Sequence, residues 1–291
     1  MKIACIPAHN EESHIENLVK SARNYVDSVV VCDDGSTDNT ANIAKNAGAI
    51  VISHKTNKGY GSALISLFDY ARENNVDAMI TIDGDGQHDP EEIPLLLNIM
   101  NQHNVDVVIG SRFLNSETNV SGYRKRGIKI ITSAANYGGD LKVTDSQSGF
   151  RAYSQNAINT IHPTEKGMSA STEILLKISN KGLSLAEVPI TVSYDGDTSE
   201  HNSVNHGVSV LGNTLKYVSI RHPLPFYAFP GIALMILGTI SGGLFLNAYM
   251  NHQSIFYGSL LASVVLFLLG AILIVTAIIL FSMANLIRDK S

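Results

Sequence analysis

Ile80-Thr-Ile-Asp-Gly-Asp-Gly-Gln-His-Asp-Pro90 is the stretch whose reading decides the fold. An apolar run from Ala78 to Ile82 stops abruptly at Asp83, Gly84 and Asp85. The run reads as a buried strand closed by a Gly/Asp/Pro cluster. Its carboxylates therefore lie at the carboxyl end of the strand, where open α/β sheets place their ligands. Two Asp one residue apart in a glycine turn can face a single hard cation, and oxygen ligands of this kind suit magnesium or manganese. A cation held by so few protein ligands takes the rest from water and a substrate diphosphate. The plainer reading is an acidic turn capping the next helix.

The neighbouring strand ends favour the first reading. Lys2–Ile6 is a short apolar run that ends in Pro7-Ala-His-Asn-Glu11, after which Ile15, Leu18, Val19 and Ala22 follow helical spacing. Asn10 or Ser13 is a candidate cap for that helix, and Glu11 and Glu12 suit its positive end. Ser28–Cys32 is a second strand, running into Asp33-Asp-Gly-Ser-Thr-Asp38 and a helix over Thr40–Asn46 stopped by Gly48. Ala49–Ser53 reads as a third strand, and Asn57-Lys-Gly-Tyr-Gly-Ser-Ala63 opens a helix to about Asn74. Its glycines could let a diphosphate approach the backbone, although neither full phosphate-loop pattern is present. A further helix is expected from about Pro90. Val105–Ile109 reads as a fifth strand, ending in Gly110-Ser-Arg-Phe113. Strands alternating with helices predict a mostly parallel sheet with right-handed crossovers. Three strand ends then bring carboxylates, and one an arginine, to the same rim. That mixture suits a metal–diphosphate ligand.

Beyond the rim, Tyr123-Arg-Lys-Arg-Gly-Ile-Lys-Ile-Ile131 is basic and then apolar, either a solvated helix end or a helix lying on an anionic membrane surface. Asp145-Ser-Gln-Ser-Gly-Phe-Arg151 reads as a turn, Ser169–Lys181 as a helix, and Leu185–Val192 as a strand. Gly207–Arg221 is amphipathic, with Val208, Leu211, Leu215 and Val218 on one side.

The formal charge of −5 and a pI near 6.0 argue against a general nucleic-acid binder. Cys5 and Cys32, the two cysteines, lie in apolar runs and read as buried hydrophobes of a reduced compartment. No signal peptide is expected, because Lys2 is followed by only a short apolar run. From Pro223 to Ile287 there is no Asp, Glu, Lys or Arg. Within that tail, 226–249 and 255–286 each exceed the roughly 20 residues needed to span a bilayer. The short link Met250–Ser254 makes them a hairpin. Arg221 before it, and Arg288 and Lys290 after it, place both ends and the large domain on the cytoplasmic face by the positive-inside rule. The sequon Asn119-Val-Ser121 would then be idle. The expected organisation is a catalytic domain over 1–205, an amphipathic interfacial helix and linker over 206–225, and two membrane helices over 226–291.

Taken in order, these motifs resemble the inverting glycosyltransferases of the A-type (GT-A, Rossmann-like) fold, in particular the dolichol-phosphate mannose/glucose synthase group. Pro7–Glu11 resembles that group's P-x-Y-N-E, Asp33–Asp38 its D-D-G-S-x-D, and Asn57–Ala63 its N-x-G-x-G-x-A. Asp83–Gln87 resembles its D-x-D-x-Q metal site. Gly110–Phe113, Asp145–Arg151 and Glu187-Val-Pro-Ile190 match three further landmarks. The resemblance implies that Pro7, His9, Glu11, Cys32 and Asp34 surround the base and ribose of a nucleotide-sugar donor, with Asp83 and Gly84 beside its diphosphate. It implies a magnesium or manganese ion on Asp83, Asp85 and Gln87. Asp83, Asp85 and Arg112 would carry the chemistry, and Arg112, Arg124, Arg151 and His201 are the candidates to hold the phosphate of a polyprenyl or dolichyl acceptor. Two departures stand out. His9 replaces the usual Tyr, and Tyr194–Ser203 lacks the Arg and Lys that mannose synthases carry there. Ser199, His201 and His206 are the candidates to substitute; the donor is expected to be UDP- or GDP-linked, and these departures count against GDP-mannose and keep a uridine-diphosphate sugar open. The competing expectations are a different lipid or lipid-linked glycan acceptor, and a membrane-anchored nucleotide-sugar-binding protein without transfer activity.

Overall fold

A seven-stranded sheet in the order β3-β2-β1-β4-β6-β5-β7 carries the first 190 or so residues. The computed structural model describes residues 1–114, 122–193, 203–251 and 257–288, with only the backbone for residues 123–124, 203–209, 217 and 285–288. The strands are β1 (Lys2–Ala8), β2 (Ser28–Asp33), β3 (Ile50–Ser53), β4 (Ala78–Thr81), β5 (Val107–Ser111), β6 (Arg151–Ser154) and β7 (Leu185–Pro189). The helices between them are α1 (Ile15–Ala22), α2 (Thr40–Asn46), α3 (Tyr60–Glu73), α4 (Ile93–His103), α5 (Gly122–Gly139), α6 (Gln155–Thr160) and α7 (Ala170–Asn180). A sheet covered on both faces needs strands that are apolar on both faces. β1 shows this directly: Ala4 and Ile6 join the core under α1 and α4, while Ile3 and Cys5 join the core under α3 and α7. Both cysteines are buried in that second core, and burial raises each thiol's pKa.

Four sequence expectations shift. Arg151, expected to end a turn, opens the strand Arg151–Ser154, which lies between β4 and β5 and is antiparallel to both. That segment is short, opens on an arginine and has no apolar run, so only its two neighbours make it a strand. β5 starts two residues later than expected, because the left-handed Asn104 and the bond from Val105 N–H to Met100 O still close α4. β7 ends at Pro189, and Val192 keeps only an isolated antiparallel bridge to His88. The helix expected at Pro90 begins as a 3₁₀ turn, Pro90–Glu92, capped by the Asp89 carboxylate on Glu91 N–H.

The chain divides into two compact units, Met1–Thr214 and Leu215–Ser291, with the division inside α8 (Ser203–Arg221). Of the expected apolar face, Val218 is buried, Leu211 half-buried and Leu215 40% exposed, and the Val208 side chain lies outside the described residues; Val210 and Thr214 are buried as well.

In the second unit a π turn over Leu224–Ala228 leads into α9 (Phe229–Met250), and α10 is Tyr257–Arg288. Leu224–Met250 and Tyr257–Ala284 have mean hydropathies of 1.8 and 3.2 and are long and apolar enough to cross a membrane. Their outer faces expose large apolar side chains such as Leu244, Leu261 and Ile272, a surface that water does not tolerate as one patch. The two helices pack as an antiparallel hairpin on small residues, as membrane helices do. A Cβ on Gly270 would lie 2.5 Å from Gly231 O, and one on Gly238 would lie 2.9 Å from Ser263 O. Gly270→Leu is expected to split the hairpin, read as loss of a cysteine crosslink engineered between α9 and α10, while the first unit keeps its melting transition.

Candidate active site

The site begins where β4 stops. Thr81 Oγ1 donates to Gly149 O at 2.7 Å, which draws the 148–150 backbone against the strand end. The Asp83 carboxylate is then held from several sides. Tyr60 donates its hydroxyl to Oδ1 at 3.0 Å, and His88 Nε2 is 3.6 Å from Oδ2. Gly149 lies so close that a Cβ there would be 2.2 Å from Oδ1. Gly84 fits beneath β1, where a Cβ would meet Pro7 O at 3.0 Å and Glu11 Cγ at 3.4 Å. Gly86, at φ +70°, turns the chain so that Gln87 N–H reaches Asp85 Oδ1 at 3.0 Å. The Gln87 carbonyl accepts Ser193 N–H.

Three acids, Glu11, Asp83 and Asp85, therefore lie in electrostatic reach on this rim with unequal titration. Burial opposes ionisation of Asp83, but the His88 ring, the Tyr60 hydroxyl and the Arg112 charge outweigh it and hold its pKa below the usual range. Burial and the Asp83 charge push Asp85 up. Burial, then Asp85, Asp38 and Asp83, push Glu11 up to about 7. Asp85 and Glu11, half-buried and raised by like-charged neighbours, would be relieved by a hard divalent cation. Among the described residues no group of three or more His, Cys, Asp or Glu is placed to hold a metal ion by itself, so any site here rests on fewer protein ligands. Asp83 and Asp85 would hold an ion that keeps open positions, as magnesium and manganese do beside substrate phosphates.

This arrangement sets a pH dependence. Between its ordinary 4.5 and about 7, Glu11 holds more protons in the folded chain than in the unfolded one. Metal-free stability is therefore expected to fall as pH rises through that window and to level off above it. If a divalent cation such as manganese binds beside Glu11, its affinity is expected to have the opposite slope, tightening as pH rises through about 7 with proton release. Titration calorimetry in buffers of different ionisation enthalpy should detect protons released at pH 6.5 and almost none at pH 8.5.

The nucleotide side is built by cross-ties between the β1 and β2 loops. Asn10, at φ +58°, accepts Thr37 N–H at 2.8 Å and gives its own N–H to Ser36 Oγ. Glu12 accepts Asn39 N–H, and Glu11 N–H goes to Thr40 Oγ1. Asn10 and Ser13 therefore do not cap α1, whose N-cap is His14 without a side-chain bond. Asp34 is committed internally: it accepts His54 Nδ1 at 2.6 Å, Lys58 N–H at 3.0 Å and Gly59 N–H at 2.7 Å. Burial opposes its ionisation, and these bonds more than offset that and lower its pKa. Cys32 is buried with its sulfur 3.7 Å from His54 Nε2, and Pro7 is buried too. Of the five residues expected around base and ribose, His9 is exposed and Glu11 half-buried, so these two face outward most. Gly59 and Gly61 admit the chain's own backbone. A Cβ on Gly59 would lie 2.5 Å from Lys166 O, and one on Gly61 2.1 Å from Glu165 O. That explains these glycines without a diphosphate.

Arg112 sits at the end of β5, its Nε and Nη2 on Asp145 Oδ2 and Oδ1 at 2.6 and 2.8 Å. Arg151 is displaced from the role of phosphate ligand. It is 1% exposed, and Nε, Nη1 and Nη2 donate to the carbonyls of Ser148, Ser171 and Ser146 at 2.8–3.0 Å. It is a buried bracket for the strand-end loops. The Arg124 side chain and all of His201, with Ser199 and the sequon at Asn119, lie outside the described residues, as does the His206 side chain. Tyr60, His88, Asp145, Gly149 and Glu187 surround the candidate residues and carried no separate role in the sequence. Asp145, Gly149 and Glu187 lay inside quoted motifs, but their partners are 33 to 66 positions away.

A mostly parallel sheet whose strand ends gather acids and an arginine defines, together with its relatives, a glycosyltransferase. The chain belongs to glycosyl transferase family 2, whose profile matches residues 3–161. It is 33% identical over 211 residues to the UDP-N-acetylglucosamine–dolichyl-phosphate N-acetylglucosaminyltransferase of Methanococcus voltae, covering 65% of this chain and 84% of that protein. It is 29% identical over 203 residues to the polyprenol monophosphomannose synthase of Mycolicibacterium smegmatis, covering 65% and 76%. Among solved structures, glucosyl-3-phosphoglycerate synthase from Mycobacterium tuberculosis, in complex with Mn2+, UDP and phosphoglyceric acid, superposes with a TM-score of 0.61. The identity is 21%, over 76% of this chain and 78% of that one, and the likeness is one of GT-A fold.

Proposed function

We propose that this protein moves a hexose or N-acetylhexosamine from a nucleoside-diphosphate sugar to a polyprenyl phosphate, with inversion, at the cytoplasmic face of a membrane. The observation that carries the reading is the meeting of Glu11, Asp83 and Asp85 on one rim, with Arg112 in electrostatic reach of Asp83, in a chain that also has two membrane-length helices. The names of the relatives from Methanococcus and Mycolicibacterium support the acceptor class. The first supports a uridine nucleotide, as does the absence of Lys and Arg from Tyr194–Ser203.

In this reading an acceptor phosphate oxygen attacks the anomeric carbon from the face opposite the diphosphate. The new C–O bond forms as the bond to the diphosphate breaks, and that electron pair leaves with the nucleoside diphosphate. A phosphate monoester is largely dianionic at neutral pH, its second pKa being near ~6, so the protein need supply no strong base. Asp83 and Asp85 hold the divalent cation, with Gln87 the further candidate beside them. When bound, the cation neutralises charge on the departing diphosphate. Tyr60 and His88 fix Asp83, His9 and Glu11 face the nucleoside, and Arg112 orients phosphate oxygens through its planar fork. Arg221, Arg288 and Lys290 flank the hairpin and support the cytoplasmic orientation. The basic segment Arg124–Lys129 of α5 carries no acid and suits an anionic lipid surface.

The test is transfer of labelled sugar to a short polyprenyl phosphate, with UDP-glucose, UDP-N-acetylglucosamine and GDP-mannose in parallel, with and without manganese. Organic-extractable product with a UDP-sugar and metal is the expected result. Metal-dependent hydrolysis of a donor without lipid product would remove the acceptor from the reading.

A further inference from the structure

We propose that Glu187 is a positioning residue for Arg112, acting across β7 and β5 through the turn at Thr144 and Asp145. The inference rests on the transferase reading for what Arg112 does, but not for how Arg112 is held.

The linkage is continuous. Both Glu187 oxygens accept Thr144 N–H at 2.9 Å, and Oε1 also accepts Thr144 Oγ1 at 3.2 Å and Asp145 N–H at 3.2 Å. The Thr144 hydroxyl donates to Glu187 Oε1, and with its one proton spent there, Ser111 Oγ, 2.6 Å from Thr144 Oγ1, is the donor of that pair. Ser111 Oγ in turn accepts Phe113 N–H at 3.2 Å. The hydrogen bonds on either side of Arg112 thus run in one direction, and Glu187 fixes that direction.

The next residue, Asp145, is fully buried. It accepts Arg112 N–H at 3.2 Å, Nε at 2.6 Å and Nη2 at 2.8 Å, and Gln147 N–H at 3.2 Å. Arg112 is thereby clamped at its backbone and at one edge of its fork. The position of the clamp follows the Asp145 N–H and Thr144 N–H, both of which end on Glu187. The parallel register opposes Ile109 to Glu187 and Ser111 to Pro189, so the acid stands beside the strand whose end carries Arg112. A glutamine at this place would keep one carbonyl oxygen but replace the second acceptor by a donor facing N–H groups.

A strand-edge carboxylate that only closes a turn would affect stability and nothing else, and a double-variant cycle separates the two roles. The experiment compares wild type, Glu187→Gln, Arg112→Lys and the double variant in detergent. It follows donor KM, kcat, melting temperature and the Arg112 Nε–H resonance of 15N-arginine-labelled protein, identified by its absence in Arg112→Lys. Glu187→Gln is expected to lower kcat ~10- to 100-fold with donor KM within about twofold, as misplacement of an orienting group does. The double variant should be no slower than Arg112→Lys, the Nε–H signal should move, and Glu187→Asp should restore part of kcat. Multiplicative losses, or an unmoved Nε–H signal, would overturn the proposal. If Glu187→Gln does not fold, Thr144→Val, which removes the hydroxyl between Glu187 and Ser111, takes its place with the same expectations. A wild type inert towards every donor would overturn the transferase reading, and the Nε–H comparison would still decide Glu187.

Discussion

Asp85→Asn should reduce transfer by about 10³-fold or more, the scale of losing a principal electrostatic stabiliser of the leaving group. Asp85 accepts Gln87 N–H within its own turn, a local bond that leaves the rest of the fold untied to it. Removing its charge also relieves Asp83 and Glu11 of a like-charged neighbour, so the metal-free protein should keep or slightly raise its melting temperature. Glu11 should then titrate lower than its present value of about 7. The measurements are initial rates across a manganese titration and a thermal melt of the same preparation. Wild-type turnover with an unchanged metal dependence would remove Asp85 from the metal site. Loss of activity together with a large drop in melting temperature would make its role structural.

Gly149→Ala is the second large expected effect, and it comes from a residue with no functional group. The added Cβ would lie 2.2–2.5 Å from Oδ1, Oδ2 and Cγ of Asp83. Real Cβ atoms do not approach so closely, so either Asp83 or the 148–150 backbone must move. The backbone is tied down by Thr81 Oγ1 on Gly149 O and by Arg151 Nε on Ser148 O, which leaves Asp83 to rotate away from Tyr60. A displacement of about 1 Å in a positioning group costs on the order of 10²-fold in rate. The expected result is a loss of at least that size with weakened manganese binding, and a melting temperature lowered less than in Arg151→Ala. That comparison variant leaves buried carbonyls unpaired, at roughly 1–3 kcal/mol each. Unchanged kinetics in Gly149→Ala would mean that the loop yields, and that Asp83 is not held from this side.

The sequence alone determined the α/β class, the strand-end placement of the acids and the two apolar spans. Periodicity and strand-closing Gly/Asp clusters are local signals, and no distant contact is needed to read them. The ordered motifs identified the family before any coordinate. The tertiary structure decided what each motif residue touches. Arg151 looked like a phosphate ligand by charge, yet the antiparallel insertion of β6 buries it among three carbonyls. Gly59 and Gly61 looked like a diphosphate cradle, yet they admit the backbone of Glu165 and Lys166, a contact spanning more than 100 positions. Asp34, placed by the resemblance beside the nucleotide, and Asn10, a candidate helix cap, are both spent on cross-ties between loops. Tyr60, Gly149 and Glu187 became site residues only when the sheet set strand ends from distant parts of the chain side by side. A sequence reports which chemistries a residue can perform. The packing of non-local elements decides which of those donors and acceptors are already satisfied by the protein itself, because a buried polar group must find its partner wherever the fold supplies one.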